Sequence, residues 1–210
     1  SAALLRLGYD FDKRDSRLWP TRGLGYNFGV DYAGGVLGGN SDFVRPRANF
    51  SLFRPVSKRP QTLLAFNVEA GLIENTGDAE LFYNDRFYLG GETSLRGHRV
   101  RSITVRDSEG RIVRDENNLT VGGDRSLLAN LEYHLLLGGP FRLLAFVDAG
   151  NVWAKGQTID FGGVRYTAGL ELQVNVPLLG APLRFIYAQN LDELPGDDFE
   201  SFRFSIGPSF

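Results

Sequence analysis

The 210-residue chain has no cysteine and only two histidines. Without cysteine it forms no disulfide, no thiolate metal site and no thiol nucleophile. With His98 and His134 as its whole histidine complement, a His-rich metal centre is excluded. A large charge of one sign is also missing. The net charge of −2 matches neither a nucleic-acid footprint nor an acidic tail. Long apolar runs are absent as well. The best stretch, Leu135 to Ala154, is broken by Gly138, Gly139, Pro140, Arg142 and Asp148. It falls short of the roughly 18 apolar residues that a membrane helix needs. Arg6 and Asp10 interrupt the apolar residues of Ser1 to Asp12, so this segment does not read as an export signal. The sequence is therefore expected to start beyond any such signal. A membrane location stays open, because a closed β-barrel also satisfies every backbone group in lipid.

What the chain does have is glycine (26), phenylalanine (16) and tyrosine (8). That composition suits a β protein with one greasy and one polar face. Period-two alternation dominates the sequence. From Val164 to Val176 one face reads Arg165, Thr167, Gly169, Glu171, Gln173 and Asn175; the other reads Tyr166, Ala168, Leu170, Leu172, Val174 and Val176. Successive strand side chains point to opposite faces, so this segment presents an apolar and a polar side. The same pattern places Leu24, Tyr26, Phe28, Val30 and Tyr32 together, and Leu64, Phe66, Val68, Ala70 and Leu72 together. It groups Leu5, Leu7, Tyr9 and Phe11 near the start. At the end it groups Phe202, Phe204, Ile206 and Phe210.

The alternation predicts nine strands, at about 3–11, 22–34, 43–54, 61–73, 122–137, 141–154, 163–177, 182–190 and 199–210. Short turns at 55–60, 138–140 and 178–181 and an intermediate one at 12–21 alternate with longer loops at 35–42, 155–162 and 191–198. Short turns at one end and long loops at the other are the habit of outer-membrane barrels. One connection, about 74–121, is far longer, and loops of that size are mostly functional or disordered. A soluble β-sandwich also alternates. Here, however, large aliphatic and aromatic residues fill the apolar faces, and Gly, Asn, Arg and Glu crowd the opposite faces. That distribution fits a lipid-facing exterior and a wet lumen.

Five segments carry a family resemblance. Arg86 to His98 reads Arg-Phe-Tyr-Leu-Gly-Gly-Glu-Thr-Ser-Leu-Arg-Gly-His. Val121, Gly122 and Gly123 open a strand that runs on to Leu131, Glu132 and Tyr133. Phe146 to Trp153 reads Phe-Val-Asp-Ala-Gly-Asn-Val-Trp. Leu183 to Gln189 and Phe202 to Phe210 close the sequence. Together, in this order, they resemble the BamA/TamA superfamily of outer-membrane assembly and translocation proteins. The tetrapeptide Leu95-Arg96-Gly97-His98 stands where that family has Val-Arg-Gly-Phe/Tyr, so Leu95 and His98 depart from the pattern.

The resemblance implies an all-β, antiparallel transmembrane barrel in the bacterial outer membrane. Residues 1–210 would be its C-terminal part, eight to nine strands of about sixteen. The N-terminal strands and POTRA domains would lie elsewhere, and the loop at about 74–121 would fold into the barrel. An odd strand count leaves one edge unpaired, which either upstream strands or a partner chain closing a shared barrel would cover.

The resemblance further implies that Arg96, beside Gly97, pairs inside the barrel with Glu132 and Asp148. A guanidinium fork suits carboxylates bidentately. Gly90 and Gly91 would let the loop turn tightly. At the last strand, Phe202, Phe204, Ile206, Gly207 and Phe210 would form a weak seam, because Pro208 cannot donate to a ladder. A substrate strand could add there.

The implied function is insertion of nascent β-barrels into the outer membrane. The alternatives are passenger translocation, as in TamA-like or two-partner secretion relatives, and a passive pore. The expected partners are outer-membrane lipid, nascent outer-membrane or secreted proteins, and periplasmic or lipoprotein accessory subunits; nucleic acid is not among them. No cofactor, metal or catalytic residue is expected. Ser126, His134 and Asp148 could be drawn as a hydrolytic triad, but nothing in the sequence sets a nucleophile against its base.

Overall fold

The computed structural model describes residues 4–35, 38, 41–77, 81–176, 178 and 180–210. The strands are β1 (Leu4–Asp12), β2 (Gly23–Ala33), β3 (Phe43–Lys58), β4 (Gln61–Leu72), β5 (Glu74–Asn75), β6 (Arg125–Gly138), β7 (Phe141–Trp153), β8 (Arg165–Val176), β9 (Ala181–Asn190) and β10 (Phe202–Ile206). They make one antiparallel sheet in the order β1-β2-β3-β4-β6-β7-β8-β9-β10. The two-residue β5 pairs with β3 at Phe43 and Val44 and was not foreseen. Among the described residues no ladder joins β1 to β10, so the sheet is an open, partial barrel. Residues 3 and 177, expected ends of two strands, and parts of the connections at 35–42 and 178–181 lie outside the described residues.

Alternation assigns the faces. Leu7, Tyr9, Phe28, Leu131, Tyr133, Leu170, Tyr187, Phe202 and Phe204 stand exposed on the convex side. Exposed Leu and Phe rows running strand after strand would be untenable in water and match a band facing acyl chains. Glu132, Asp148, Thr167, Glu171 and Arg184, on the concave side, are completely buried. The inversion of greasy outside and polar inside separates this sheet from a sandwich.

Several expectations are corrected. β3 continues through Pro55 with a register shift between Pro55 and Ser57, so the turn is reduced to Arg59 and Pro60. β6 starts at Arg125 rather than 122, because Gly123 pairs instead with Phe87 of the long loop. β10 ends at Ile206 rather than 210. Gly207 takes φ +143, and the chain then turns away from the sheet. Phe210 consequently leaves the face of Phe202, Phe204 and Ile206 and stacks on the lumen-side ring of Phe53, centroids 5.6 Å apart.

The interior of β6–β9 is not a wet lumen. The long loop fills it, and the concave face of β7 carries apolar residues of its own. Leu128 and Val152 pack against Leu89, Leu95, Ile103 and Val105 of the loop. Leu144, Phe146, Ile186 and Ala188 pack with Phe199. Among the described residues, the concave side of β1–β4 keeps a cleft of about 420 Å³ beside Arg6, Asp10, Asn27, Arg47, Asn49 and Glu69.

Candidate functional site: a loop locked inside the barrel

The connection between β5 and β6 returns into the barrel as a set of short bridges: Phe87 with Gly123, Leu89 with Ile103, and His98 with Phe199. Its inner turn closes through hydrogen bonds from Gly91 N to His98 O (3.0 Å) and from Ser94 N to Gly91 O (3.2 Å). Gly90 and Gly91 have φ of +104 and +110, and Gly97 has φ +88. A Cβ on Gly97 would meet the Phe199 ring at 2.5 Å and Ala188 Cβ at 2.8 Å. Glycine at this position lets the loop lie against β9.

That turn projects Arg96 onto the concave wall. Its Nε donates to Asp148 Oδ2 (2.8 Å) and its Nη2 to Asp148 Oδ1 (2.6 Å). Nη1 donates to Glu132 Oε1 (2.6 Å) and Glu171 Oε2 (3.1 Å). Even the backbone N–H of Arg96 donates to Asp148 Oδ2 (3.1 Å). The guanidinium carbon lies 3.7 Å from the centre of the Phe146 ring. Arg96 is 2 % exposed and its three carboxylates are fully buried. A cation in such a place is tolerable only because each guanidinium nitrogen has a carboxylate acceptor.

Further residues hold the carboxylates in place. Asn130 donates to Asp148 Oδ1 (2.8 Å) and to Ser94 O (2.9 Å), and accepts from Asn67, which accepts from Asn49. This amide ladder crosses β3, β4 and β6. His134 Nε2 lies 2.7 Å from Glu132 Oε2. Arg184 clamps Glu171 through Nε (2.6 Å) and Nη2 (2.9 Å), and reaches Glu92 O in the loop and Pro208 O in the terminal segment. Arg203 of β10 holds the Glu92 carboxylate at 3.0 Å. The Glu92 carboxyl sits below its ordinary range because its own backbone N–H bonds it; burial opposes the shift, and Arg203 adds to it.

Arg96, Gly97, Glu132 and Asp148 thus converge, and Gly90 and Gly91 build the turn that delivers them. Glu171 and Arg184 were missing from the expected cluster. Glu171 was visible on the polar face of its strand, but only the register reveals that β7, β8 and β9 bring Asp148, Glu171 and Arg184 around one guanidinium. Phe202, Phe204 and Ile206 face outward against Tyr187, Phe185 and Leu183. Gly207 donates its N–H to Pro182 O (3.0 Å), and Phe210 lies inside. The hydrolytic triad is not assembled. Ser126 and His134 are on one strand, about 26 Å apart at strand rise, and Glu132 and Arg96 engage His134 and Asp148. Among the described residues no group of His, Asp and Glu is arranged to hold a metal.

His98 is 1 % exposed, and neither ring nitrogen has a hydrogen-bond partner among the described residues. Its ring meets Phe199 edge-on, centroids 5.3 Å apart. Burial pushes its pKa down to about 4; Asp197 and Asp192 oppose the shift, and Arg165 and Arg106 reinforce it.

An antiparallel sheet with a lipid-facing exterior and an arginine-locked loop inside defines an outer-membrane barrel protein. Residues 1–210 match the Omp85 superfamily domain, and the chain belongs to that superfamily. It is 30% identical over 206 residues to the outer membrane protein assembly factor BamA of Nitratidesulfovibrio vulgaris, covering 95% of this chain and 24% of that protein. It is 31% identical over 239 residues to BamA of Neisseria meningitidis serogroup B (97% and 28%). The sorting and assembly machinery component 50 homolog of Mus musculus is 31% identical over 144 residues (67% and 29%). The crystal structure of BamA from Haemophilus ducreyi lacking POTRA domains 1–3 superposes with a TM-score of 0.80 at 24% identity, covering 98% of this chain and 42% of that one. The chain therefore spans about a quarter of the length of the BamA relatives it matches.

Proposed function

We propose that this chain serves in the assembly of β-barrel proteins in the outer membrane, with residues 1–210 as the C-terminal barrel region and the loop between β5 and β6 as its internal strut. The observation that carries the reading is the Arg96 lock. A loop pinned to β6, β7 and β8 braces that half of the wall. The other half, β1–β4, keeps an open polar cleft. The loop meets it at one end, where Leu81 and Phe87 pack against Ala33, Phe43 and Ile73 and Arg45 donates to Asp85 O, without a buried charge cluster of the Arg96 kind among the described residues. Nascent outer-membrane proteins are the proposed substrates, with periplasmic accessory subunits as partners and strand addition at the weakly paired end of β10 as the mode of action. The role of the BamA relatives as outer membrane protein assembly factors supports this, and no enzymatic chemistry is part of it.

Complementation of a depleted native gene tests the proposal. The wild-type protein restores outer-membrane proteins generally. Arg96→Ala fails to do so, whereas Arg101→Ala, whose guanidinium stacks on Tyr83 and Tyr88 at the loop surface, succeeds. Loss of one secreted passenger alone on depletion would assign passenger translocation instead. Ion conductance with neither defect would assign a passive pore.

A further inference from the structure

The end of the barrel that carries the short turns is divided into two unlike halves. Around β6–β9 it is apolar. Residues 135–141 and 176–182 contain no charged side chain, and Leu137, Phe141 and Leu178 are exposed there, Leu178 at 94%. Around β1–β3 it is cationic. Lys13, Arg22, Arg54, Lys58 and Arg59 are all exposed, and none of them makes an ion pair among the described residues.

The nearby acids do not neutralise this half. Asp12 is taken by Arg14 (3.0 Å) and Arg17 (3.3 Å). Asp15 is turned into its own turn, where it accepts the backbone N–H groups of Thr21 (2.8 Å) and Arg22 (3.2 Å).

The placement of the cations matters as much as their number. Lys13 holds its ammonium 5.3 Å from the centre of the exterior ring of Phe11, which stacks on Tyr26 at 4.9 Å. Lys13 N donates to Leu24 O, and Leu24 pairs with Leu52. Arg54 follows Leu52 on the outward face and pairs with outward Leu64. Arg22 flanks the last ladder pair, Gly23 with Phe53. The free cations therefore sit at the edge of the lipid-facing band, just beyond a row of aromatic rings. Aromatic rings and long cationic side chains take this position at a headgroup layer. In outer-membrane barrels the short turns face the periplasm, so the layer in question is the periplasmic leaflet.

We infer that the outward face formed by Lys13, Arg22 and Arg54, extended by Lys58 and Arg59, is a binding site for the phosphate headgroups of anionic phospholipids. Charge complementarity and continuity with the apolar band select a lipid over a soluble partner: a headgroup meets the cations while its acyl chains lie along Phe11, Tyr26, Leu24 and Leu52. The uncharged rim of β6–β9 has no such preference, so anionic lipid gathers on one side of the barrel.

The test uses the full chain folded into nanodiscs of equimolar phosphatidylcholine and phosphatidylglycerol. Lipid retained on the protein is counted by native mass spectrometry, and folding is verified by heat-modifiable mobility. About 1 kcal/mol of attraction per interfacial cation corresponds to about fivefold. Phosphatidylglycerol is therefore expected about fivefold or more over phosphatidylcholine, with the enrichment shrinking at high salt. Lys13→Gln/Arg22→Gln/Arg54→Gln lowers the ratio about fivefold or more, with Lys58 and Arg59 holding what enrichment remains. Arg99→Gln/Arg111→Gln/Arg114→Gln, at the opposite end, leaves it unchanged. If the first triple variant does not fold, Arg54→Gln alone must lower the ratio. Equal retention of the two lipids by the wild type overturns the site, as does an equal loss in both triple variants. Capture of soluble polyglutamate that depends on Lys13, Arg22 and Arg54, without lipid enrichment, would also overturn it by giving the face to an acidic protein.

Discussion

Arg96 and Asp148 meet as a two-pronged fork, with Nε at 2.8 Å and Nη2 at 2.6 Å from the two carboxylate oxygens, in a space with almost no solvent. The pair ties a loop residue to the middle of β7 across 52 positions of sequence. Truncating the cation strands Glu132, Asp148 and part of Glu171 as buried anions. Arg96→Ala should therefore cost about 3–5 kcal/mol, read as a lower urea midpoint of the folded barrel in detergent. Arg96→Lys should recover only part of this, because an ammonium cannot make the fork. A midpoint unchanged in Arg96→Ala would remove the lock from the account.

Gly97 and Gly110 both have positive φ, +88 and +78, but their surroundings differ. A Cβ at Gly97 collides with Phe199 and Ala188, whereas one at Gly110 meets nothing within 4 Å. Gly97→Ala should lose about 2–4 kcal/mol from backbone strain and overpacking together. Gly110→Ala should lose about 1 kcal/mol from strain alone. Comparable urea midpoints for the two variants would show that the loop does not rest on β9.

His98 makes stability fall in mild acid. Its pKa is about 4 in the folded chain against 6.5 when exposed, mainly through burial. Between these values the unfolded chain binds a proton that the folded chain refuses. The stabilising contribution is therefore complete above about pH 6.5 and is lost as the pH falls toward 4. The slope cannot exceed about 1.4 kcal/mol per pH unit for one proton. His98→Phe keeps the edge-on contact with Phe199 and should flatten this part of the profile in urea titrations at pH 7, 6 and 5. Parallel profiles would assign the acid sensitivity elsewhere.

Phe210 closes the short-turn mouth with Phe53, Leu63, Ala65 and Leu136. Phe210→Ala should cost about 2 kcal/mol by uncovering that cluster. It should also speed hydrogen exchange at Leu63 and Leu136. Phe204→Ala, on the lipid side, should leave exchange at those amides alone. Exchange that does not respond to Phe210→Ala would place the terminal ring outside the mouth.

Much of the fold was legible from local chemistry. A strand has a side-chain period of two, so the rows of Leu, Tyr and Phe against Asp, Asn, Glu and Arg named the strands and assigned their faces before any pairing was known. The Arg96, Glu132 and Asp148 positions were legible for a different reason: they lie within motifs that resemble a family. Glu171 and Arg184 were not paired with them, because which strand neighbours which, and in what register, depends on contacts between residues far apart in the chain.

The end of the chain shows the same division. Phe202 to Ile206 followed their alternation, but the inward turn at Gly207 and the seat of Phe210 against Phe53 required a partner strand 157 positions away. The interior divides in the same way: alternation alone read it as a wet lumen, whereas the family resemblance already placed the loop at about 74–121 inside it. A polar concave face is compatible with water or with a polar loop, and composition does not separate the two. By itself the sequence determined an all-β sheet with a greasy exterior, because alternation is a property of each strand alone. The tertiary structure decided that the loop fills the β6–β9 half of the lumen, because a buried guanidinium is stable only where several strands converge to supply its carboxylates.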